Sequence, residues 1–283
     1  MRCNIIGAGR LGKNLARALN SAQLISTLTV CNRSLESAKH ACEHIGSGLA
    51  VSQVKQLPEA DITWLCCNDD AIPQVVAELL QEANLKPGNF IVHSSGVLNS
   101  SLLAPLKHLG CSIASFHPLK AFKIGSIDAA AFHQVDCVLE GDTAVCNWLK
   151  KSFSQLGAYV SNLHPENKAL YHAAACIASN YLVTLIAYSE ELLLKAGLSL
   201  EQARRMLINL AQSNIHNIQQ VTAINEALTG PLARGDINTI NLHLEALKNP
   251  QLRQLYQAAG QATLALTTLP AEQKEQIGAL LDK

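Results

Sequence analysis

Three features of the sequence predict an α/β fold, a doubly wound parallel sheet, followed by an all-helical second domain. Glycines 7, 9 and 12 join a short apolar run to an amphipathic one. Apolar strand-like runs then alternate with helix-length segments as far as residue 160, and beyond it the strand signals stop. The expected domains are therefore residues 1–160, a dinucleotide-binding sheet, and residues 161–283, an all-helical domain.

The elements follow in order. Residues 3–6 form an apolar strand that runs into Gly7-Ala8-Gly9-Arg10-Leu11-Gly12, after which Leu11, Leu15, Ala18 and Leu19 recur at helical spacing. Further strands are expected at residues 27–31, 62–67, 90–93, 112–116 and 135–140, with helices at 35–44 and 71–82 between the early ones. Pro165 and Glu166 suit a helix start, and Lys195 and Gly197 suit its end. Ser199 with Gln202 makes a capping-box pair, and Asp236 and Pro250 open two later helices.

Composition narrows the function. The 22 basic and 22 acidic residues cancel and 48% of the 283 residues are hydrophobic, which excludes a disordered chain. The first 160 residues hold 13 basic and 12 acidic residues and the rest hold 9 and 10, so neither part offers a basic footprint for nucleic acid or anionic lipid. Nine unevenly spaced cysteines without C-x-x-C act as small hydrophobes and point to a reducing compartment. No charged leader precedes the glycines, so the expected location is cytoplasmic. Residues 170–188 are apolar but hold His172, Ser179, Asn180 and Tyr181, too polar a set for lipid, and are expected to form a central core helix. No His/Cys cluster has zinc spacing and no G-x-S-x-G is present, so neither a metal nor a serine hydrolase site is expected.

The glycine turn has a physical task. Gly7 permits tight reversal, Gly9 lets backbone N–H groups approach a pyrophosphate, and Gly12 lets helix and strand pack closely, with the helix start facing the anion. Gly7, Ala8, Gly9, Arg10, Leu11 and Gly12 are therefore candidate cofactor contacts. At the end of the second strand, where a carboxylate would accept the ribose hydroxyls of NAD, stand Cys31-Asn32-Arg33-Ser34. Asn32, Arg33 and Ser34 suit a 2′-phosphate, so the expected cofactor is NADP.

Ligands of such sheets bind beyond the carboxyl ends of the strands. Cys67 and Asn68 are placed there toward ribose or nicotinamide, while Asp70 suits capping the next helix. His93-Ser94-Ser95-Gly96 lies where a nicotinamide would sit: Ser95 and Gly96 are candidates for the cofactor, and His93 either binds substrate or only bonds to backbone. His117 is aimed by Pro118 and is a second candidate for substrate. On the long helix Lys168, His172, Cys176 and Ser179 share one face, with Asn180 at its edge. A lysine at the site entrance can protonate a carbonyl oxygen, with His172 holding the substrate or tuning the lysine, and partial burial draws the lysine toward neutrality. Arg234, in the turn 229–236, either grips a substrate carboxylate or pairs with Asp236.

Read together, the glycine turn, Ser95-Gly96, the run from Ser115 to Leu119, the run from Lys168 to His172 with residues 174–180, and the turn 229–236 resemble a known family over nearly the full length. It comprises bacterial Rossmann-like proteins with a characteristic helical domain of formerly unknown function. The resemblance implies a Rossmann-type sheet and a second domain like the C-terminal part of 6-phosphogluconate dehydrogenase. Members are commonly assigned as NADP oxidoreductases, and the family supplies an alternative ketopantoate reductase of pantothenate biosynthesis. Residues 190–211 are also similar to the helical domain of pyrroline-5-carboxylate reductase. Ketopantoate reductases of the usual type place asparagine four residues after the lysine, where this chain has His172.

What the resemblance implies is an NADPH-dependent reductase of a small carbonyl compound, 2-dehydropantoate first, acting as a homodimer through the helical domain. The alternatives are a cyclic-imine reductase of the pyrroline-5-carboxylate type and a non-catalytic NADP-binding sensor.

Overall fold

A computed structural model describes residues 1–282. The chain divides into two compact units, Met1–Asn180 and Tyr181–Lys283. Residues 161–180, expected at the start of the helical domain, fall in the first unit because Lys168 is hydrogen-bonded to its sheet.

In the first unit the chain runs β1 (Arg2–Ile6), α1 (Arg10–Ser21), β2 (Thr27–Cys31), α2 (Leu35–Ile45), β3 (Leu49–Val51), β4 (Ile62–Leu65), α3 (Ile72–Glu82), β5 (Phe90–His93), β6 (Ser112–Pro118), β7 (Asp136–Gly141), α4 (Thr143–Gln155), β8 (Tyr159–Asn162) and α5 (Lys168–Ala178). One eight-stranded sheet has the order β3-β2-β1-β4-β5-β6-β7-β8. Every neighbouring pair is parallel except β6 with β7. The order reverses between β1 and β4, which opens a crevice above the carboxyl ends of those strands.

The short strands β3 and β8 carry too few residues to stand out by pattern. Strand β6 runs two residues past its expected end because antiparallel β7 extends the ladder, pairing His117 with Val138 and Pro118 with Cys137. His117 therefore belongs to a strand, not to the loop after it.

Alternation of side chains divides the core in two. One face carries Val30, Trp64, Phe116 and Leu139 against Leu15 and Leu19 of α1 and Phe153 of α4. The other carries Ile6, Leu65, Ile91 and Ile113 against Leu79 of α3 and Leu103 and Leu106 of the 3-10 segment Ser100–Leu109. Helices thus cover both faces of the sheet, as its hydrophobic strands demand.

The expected single helix from Pro165 to Lys195 is interrupted. A 3-10 turn, Pro165–Asn167, precedes α5, and Ser179, at φ −112° and ψ −68°, separates α5 from α6 (Asn180–Lys195). Then come α7 (Leu200–Gln220), α8 (Pro231–Arg234), α9 (Ile237–Ala246), α10 (Pro250–Leu264) and α11 (Ala271–Leu281). The capping box of Ser199 and Gln202 is formed as the sequence predicts. The core of the second unit is Ile240, Leu244, Leu264, Ile277 and Leu281, from α9 to α11.

The long apolar helix is not the buried core helix expected of it. Among the described residues, Pro165–Lys195 is the one helical stretch long and apolar enough to cross a membrane, and α6 buries none of its side chains. Helix α7 buries only Ala203. The pattern signals apolar surface correctly, and on α6 and α7 that surface stays largely exposed.

Candidate active site

The glycine turn is built as its spacing predicts. Gly7 has φ +89°, and a Cβ there would stand 2.6 Å from the backbone nitrogen of Cys67, so only glycine lets β1 turn this close to the end of β4. A Cβ on Gly12 would meet the Gly7 carbonyl at 2.7 Å, whereas one on Gly9 would meet nothing within 4 Å. Gly9 therefore borders open space beside the start of α1. No side chain caps that helix and no acidic residue stands in its first turn, which leaves the N–H groups of Arg10, Leu11 and Gly12 suited to an anion. Leu11 itself packs on the core, Ala8 is buried, and the Arg10 side chain is exposed. The turn fits a pyrophosphate.

Asn32 does something else than expected. Its Oδ1 accepts from the Ala8 N–H at 2.7 Å, and its Nδ2 donates to the carbonyl and hydroxyl of Ser37 at 3.1 Å. It braces the glycine turn and is not available to a 2′-phosphate. Ser34 caps α2, its Oγ accepting from the Ser37 N–H at 3.2 Å. Arg33 is exposed in the turn after β2, so it remains a phosphate ligand candidate. Asp70 caps nothing: α3 follows a 3-10 turn, Asp69–Ala71, and has Ala71 at its N-cap. Cys67 is half-buried against Gly7, and Asn68 is exposed at the start of that turn.

Around β5 and β6 the structure assembles a second cluster. His93, Ser115 and Glu140 occupy one rung across β5, β6 and β7, on one face of the sheet, and all three are buried. Glu140 accepts from the Ser100 N–H and the Ser100 hydroxyl, each at 2.6 Å. Lys168 enters this region from the first turn of α5. Its Nζ donates to the Ser95 carbonyl at 2.7 Å and to Ser115 Oγ at 2.5 Å, and the residue is only 2% exposed. The lysine is thus not at an entrance but sunk against the carboxyl ends of β5 and β6. Burial lowers its pKa to about 8, against the opposing pull of Glu140 and Asp69.

One turn on, His172 meets Gly96. A Cβ on Gly96 would stand 2.3 Å from His172 Nδ1 and 3.0 Å from His117 Nε2, so the glycine admits both rings. His172 Nε2 lies 3.7 Å from Cys176 Sγ, while its Nδ1 is buried without a hydrogen-bond partner. His117 Nδ1 is 2.8 Å from the Tyr171 hydroxyl. The helical stripe therefore holds from Lys168 to Cys176 and fails at Ser179, which is exposed outside α5, as is Asn180 at the start of α6.

Three further expectations are corrected. His93 is wholly buried and cannot reach a substrate: its Nδ1 accepts from the Ser95 N–H, which places the proton on Nε2, bonded to the Asn99 carbonyl at 3.1 Å. Ser95 uses its hydroxyl on the Val97 and Leu98 N–H groups and its carbonyl on Lys168, so it shapes the loop and does not face a cofactor. Arg234 makes two bonds to Asp236 Oδ2, at 3.0 and 2.7 Å, the structural alternative of the two expected for it.

Ser115 and Tyr171 were given no role by the sequence. Their signals lay in spacing, since Ser115 shares a strand face with His117 and Tyr171 follows Lys168 by three on a helix.

Comparison with known proteins agrees with this architecture. Residues 1–118 match the Rossmann-like domain, and residues 135–263 match the domain of unknown function DUF2520. The DUF2520 match begins at the start of β7, before the helices, and so includes Lys168 and His172. No curated protein matches the chain. Among solved structures, BF3122 of Bacteroides fragilis, itself a proposed NADP oxidoreductase, is 22% identical with a TM-score of 0.78, covering 93% of this chain and 98% of that one. Protein TM1727 of Thermotoga maritima is 24% identical with a TM-score of 0.69, covering 97% and 99%. The NADP-bound pyrroline carboxylate reductase of Plasmodium falciparum is 13% identical with a TM-score of 0.61, covering 95% and 98%. At such identities the likeness establishes the fold.

The buried His93 gives a pH test. Burial pushes its pKa from 6.5 down to about 4, so the folded protein binds fewer protons there than the unfolded chain. The stability this contributes is complete above pH 6.5 and is lost as pH falls through 4. Urea unfolding between pH 7 and 4.5 should show wild-type stability falling more steeply than that of His93→Gln. The variant should be the weaker protein at pH 7.

Proposed function

We propose that the chain is an NADPH-dependent reductase of a small carbonyl compound, with 2-dehydropantoate, reduced to pantoate, as substrate. The carrying observation is the buried Lys168 amino group at the carboxyl ends of β5 and β6, in the same sheet whose β1 carries the glycine turn. A ketone needs a proton on its oxygen as hydride arrives, and a lysine with its pKa drawn to about 8 is still mostly protonated at neutral pH. A cyclic imine arrives protonated and has no such need, which favours the carbonyl substrate.

NADPH, when bound, supplies the hydride. The open space at Gly9 and the uncapped start of α1 hold its pyrophosphate, and exposed Arg33 takes the 2′-phosphate. The NADP-bound Plasmodium reductase supports this cofactor on the same fold. Lys168 donates its proton to the substrate oxygen, Ser115 keeps the amine in place, and His172 orients the substrate. The nine unpaired cysteines fit a reducing, cytoplasmic setting.

The same reading joins two copies of the chain through the helical domain. Val183 on α6 is 70% exposed and Leu210 on α7 is 61% exposed, and Leu185, Met206 and Ile215 are exposed to a lesser degree. Lipid is a poor partner for that stretch, because Lys168 is bonded to the sheet and Glu190 and Glu191 pair with Arg204 and Lys195.

Three measurements follow from this reading. NADPH should bind more tightly than NADH, and Arg33→Ala should cost about 1.5–3 kcal/mol with NADPH alone, as for a lost charged hydrogen bond; equal affinities in the wild type would refute the cofactor assignment. Loss of NADPH absorbance should report reduction of 2-dehydropantoate, with Lys168→Ala lowering kcat and kcat/KM together by ~10² to 10⁴ while NADPH affinity holds. An inert panel of ketoacids would sink the substrate class. Sedimentation should give twice the mass of one chain, shifted toward one copy by Val183→Glu with Leu210→Glu.

A further inference from the structure

We infer that Tyr171, His117 and His172 form one directed row of hydrogen-bonding groups that fixes the tautomer of His172 and leaves its Nε2–H for the substrate oxygen. The row itself stands on geometry, and only the identity of its acceptor rests on the reductase reading.

The direction is set at Tyr171. Burial pushes the pKa of this phenol up, so it keeps a proton to give across the 2.8 Å to His117 Nδ1, and the buried, unpartnered His172 Nδ1 beyond is best served if His117 accepts there and holds its proton on Nε2. The His117 ring is neutral, burial having pushed its pKa down to about 4, and with Nδ1 accepting, its one proton sits on Nε2. That nitrogen and His172 Nδ1 flank the same point above Gly96, at 3.0 and 2.3 Å from it, and the two rings stand edge to face with centroids 5.6 Å apart.

His172 Nδ1 is buried and has no partner. An N–H at that atom would be a donor sealed away from any acceptor, which is costly. A bare nitrogen instead is an acceptor beside the His117 Nε2–H, since both atoms crowd the same point at Gly96. The His172 proton then belongs on Nε2, where the neighbour is Cys176 Sγ at 3.7 Å, a weak acceptor that yields to a carbonyl oxygen. In this arrangement His172 touches the substrate, and His117 and Tyr171 are positioning residues that act through it. The row also gives a reason for glycine at position 96, since any side chain there would stand between the two rings.

The test reads the imidazole nitrogens directly. In ¹⁵N NMR of the labelled full-length protein at pH 7, with His117→Gln and His172→Gln for assignment, each ring should carry its proton on Nε2, with the Nδ1 of His172 bare. A proton on Nδ1 of His172 would overturn the inference. Tyr171→Phe keeps the ring volume and removes only the donor. It should leave His117 a mixture of tautomers and raise KM for 2-dehydropantoate about tenfold, the loss of one oriented hydrogen bond, with kcat and NADPH affinity little changed. Nitrogen shifts and KM both unmoved in Tyr171→Phe would also overturn it. Should the variant fail to fold, the wild-type spectrum decides alone. A wild type that binds NADPH and shows the predicted nitrogen pattern, yet reduces no ketoacid, would refute the reductase reading and leave the row standing.

Discussion

The first unit's site is organised around a single amino group taken out of water. Burying a lysine costs several kcal/mol unless its donors are satisfied. Here the Ser95 carbonyl and the Ser115 hydroxyl satisfy two of them, and the charge of Glu140 in the same rung offsets part of the desolvation. Those partners are themselves fixed. Glu140 is held by Ser100, and Ser95 is locked through its N–H to His93 and through its hydroxyl to the next turn. Because Lys168 opens α5, pinning its amine pins the helix start, and Tyr171 and His172 inherit their positions one turn later. The chemistry of the site and the docking of α5 on the sheet are thus one interaction seen twice.

Around that cation the histidines must be neutral. His93 and His117 are both driven down to about 4 by burial, and Lys168 adds to the effect on each. A neutral imidazole has one donor and one acceptor nitrogen, so it can transmit direction in a hydrogen-bond chain where an imidazolium cannot. His93 spends both nitrogens on the backbone, whereas His117 spends one on Tyr171 and keeps the other. Two histidines at the ends of adjacent strands thereby take different parts.

Much of this was legible in the sequence, and the losses have particular causes. The glycine spacing located the turn, because tight reversal and helix packing each require glycine at a set position: Gly7 closes on Cys67, Gly12 closes on the Gly7 carbonyl, and Gly9 borders open space. Helical periodicity placed Lys168 and His172 on one face, and that face is the one against Gly96. What pattern could not supply was which polar groups satisfy one another. Asn32 looked like a phosphate ligand, yet the Ala8 N–H needs an acceptor, and Asn32 is the group within reach. His93 and Ser95 stood at the right strand end for a ligand, but backbone groups of the same loop claim them first. Ser179 lay in phase with Lys168, and the phase is lost because the helix stops one residue before it. Apart from Ser179, each miss is a hydrogen bond that periodicity does not encode.

The apolar surface of α6 and α7 poses the remaining physical question. Fully burying a large apolar side chain is worth about 1.5–3 kcal/mol, so a helix that leaves Val183 and Leu185 bare forgoes stabilisation that its composition was suited to collect. The second unit's own core rests on five buried side chains from α9 to α11, a small reserve for about a hundred residues. On these helices Glu190 pairs with Arg204 and Glu191 with Lys195, while Glu201 and Arg205 are exposed beside the apolar side chains. Two short ion pairs on exposed helices stabilise little by themselves. A twofold pairing of identical helices, as proposed above, would cover such faces with no new complementarity to evolve, since each face would meet its own copy.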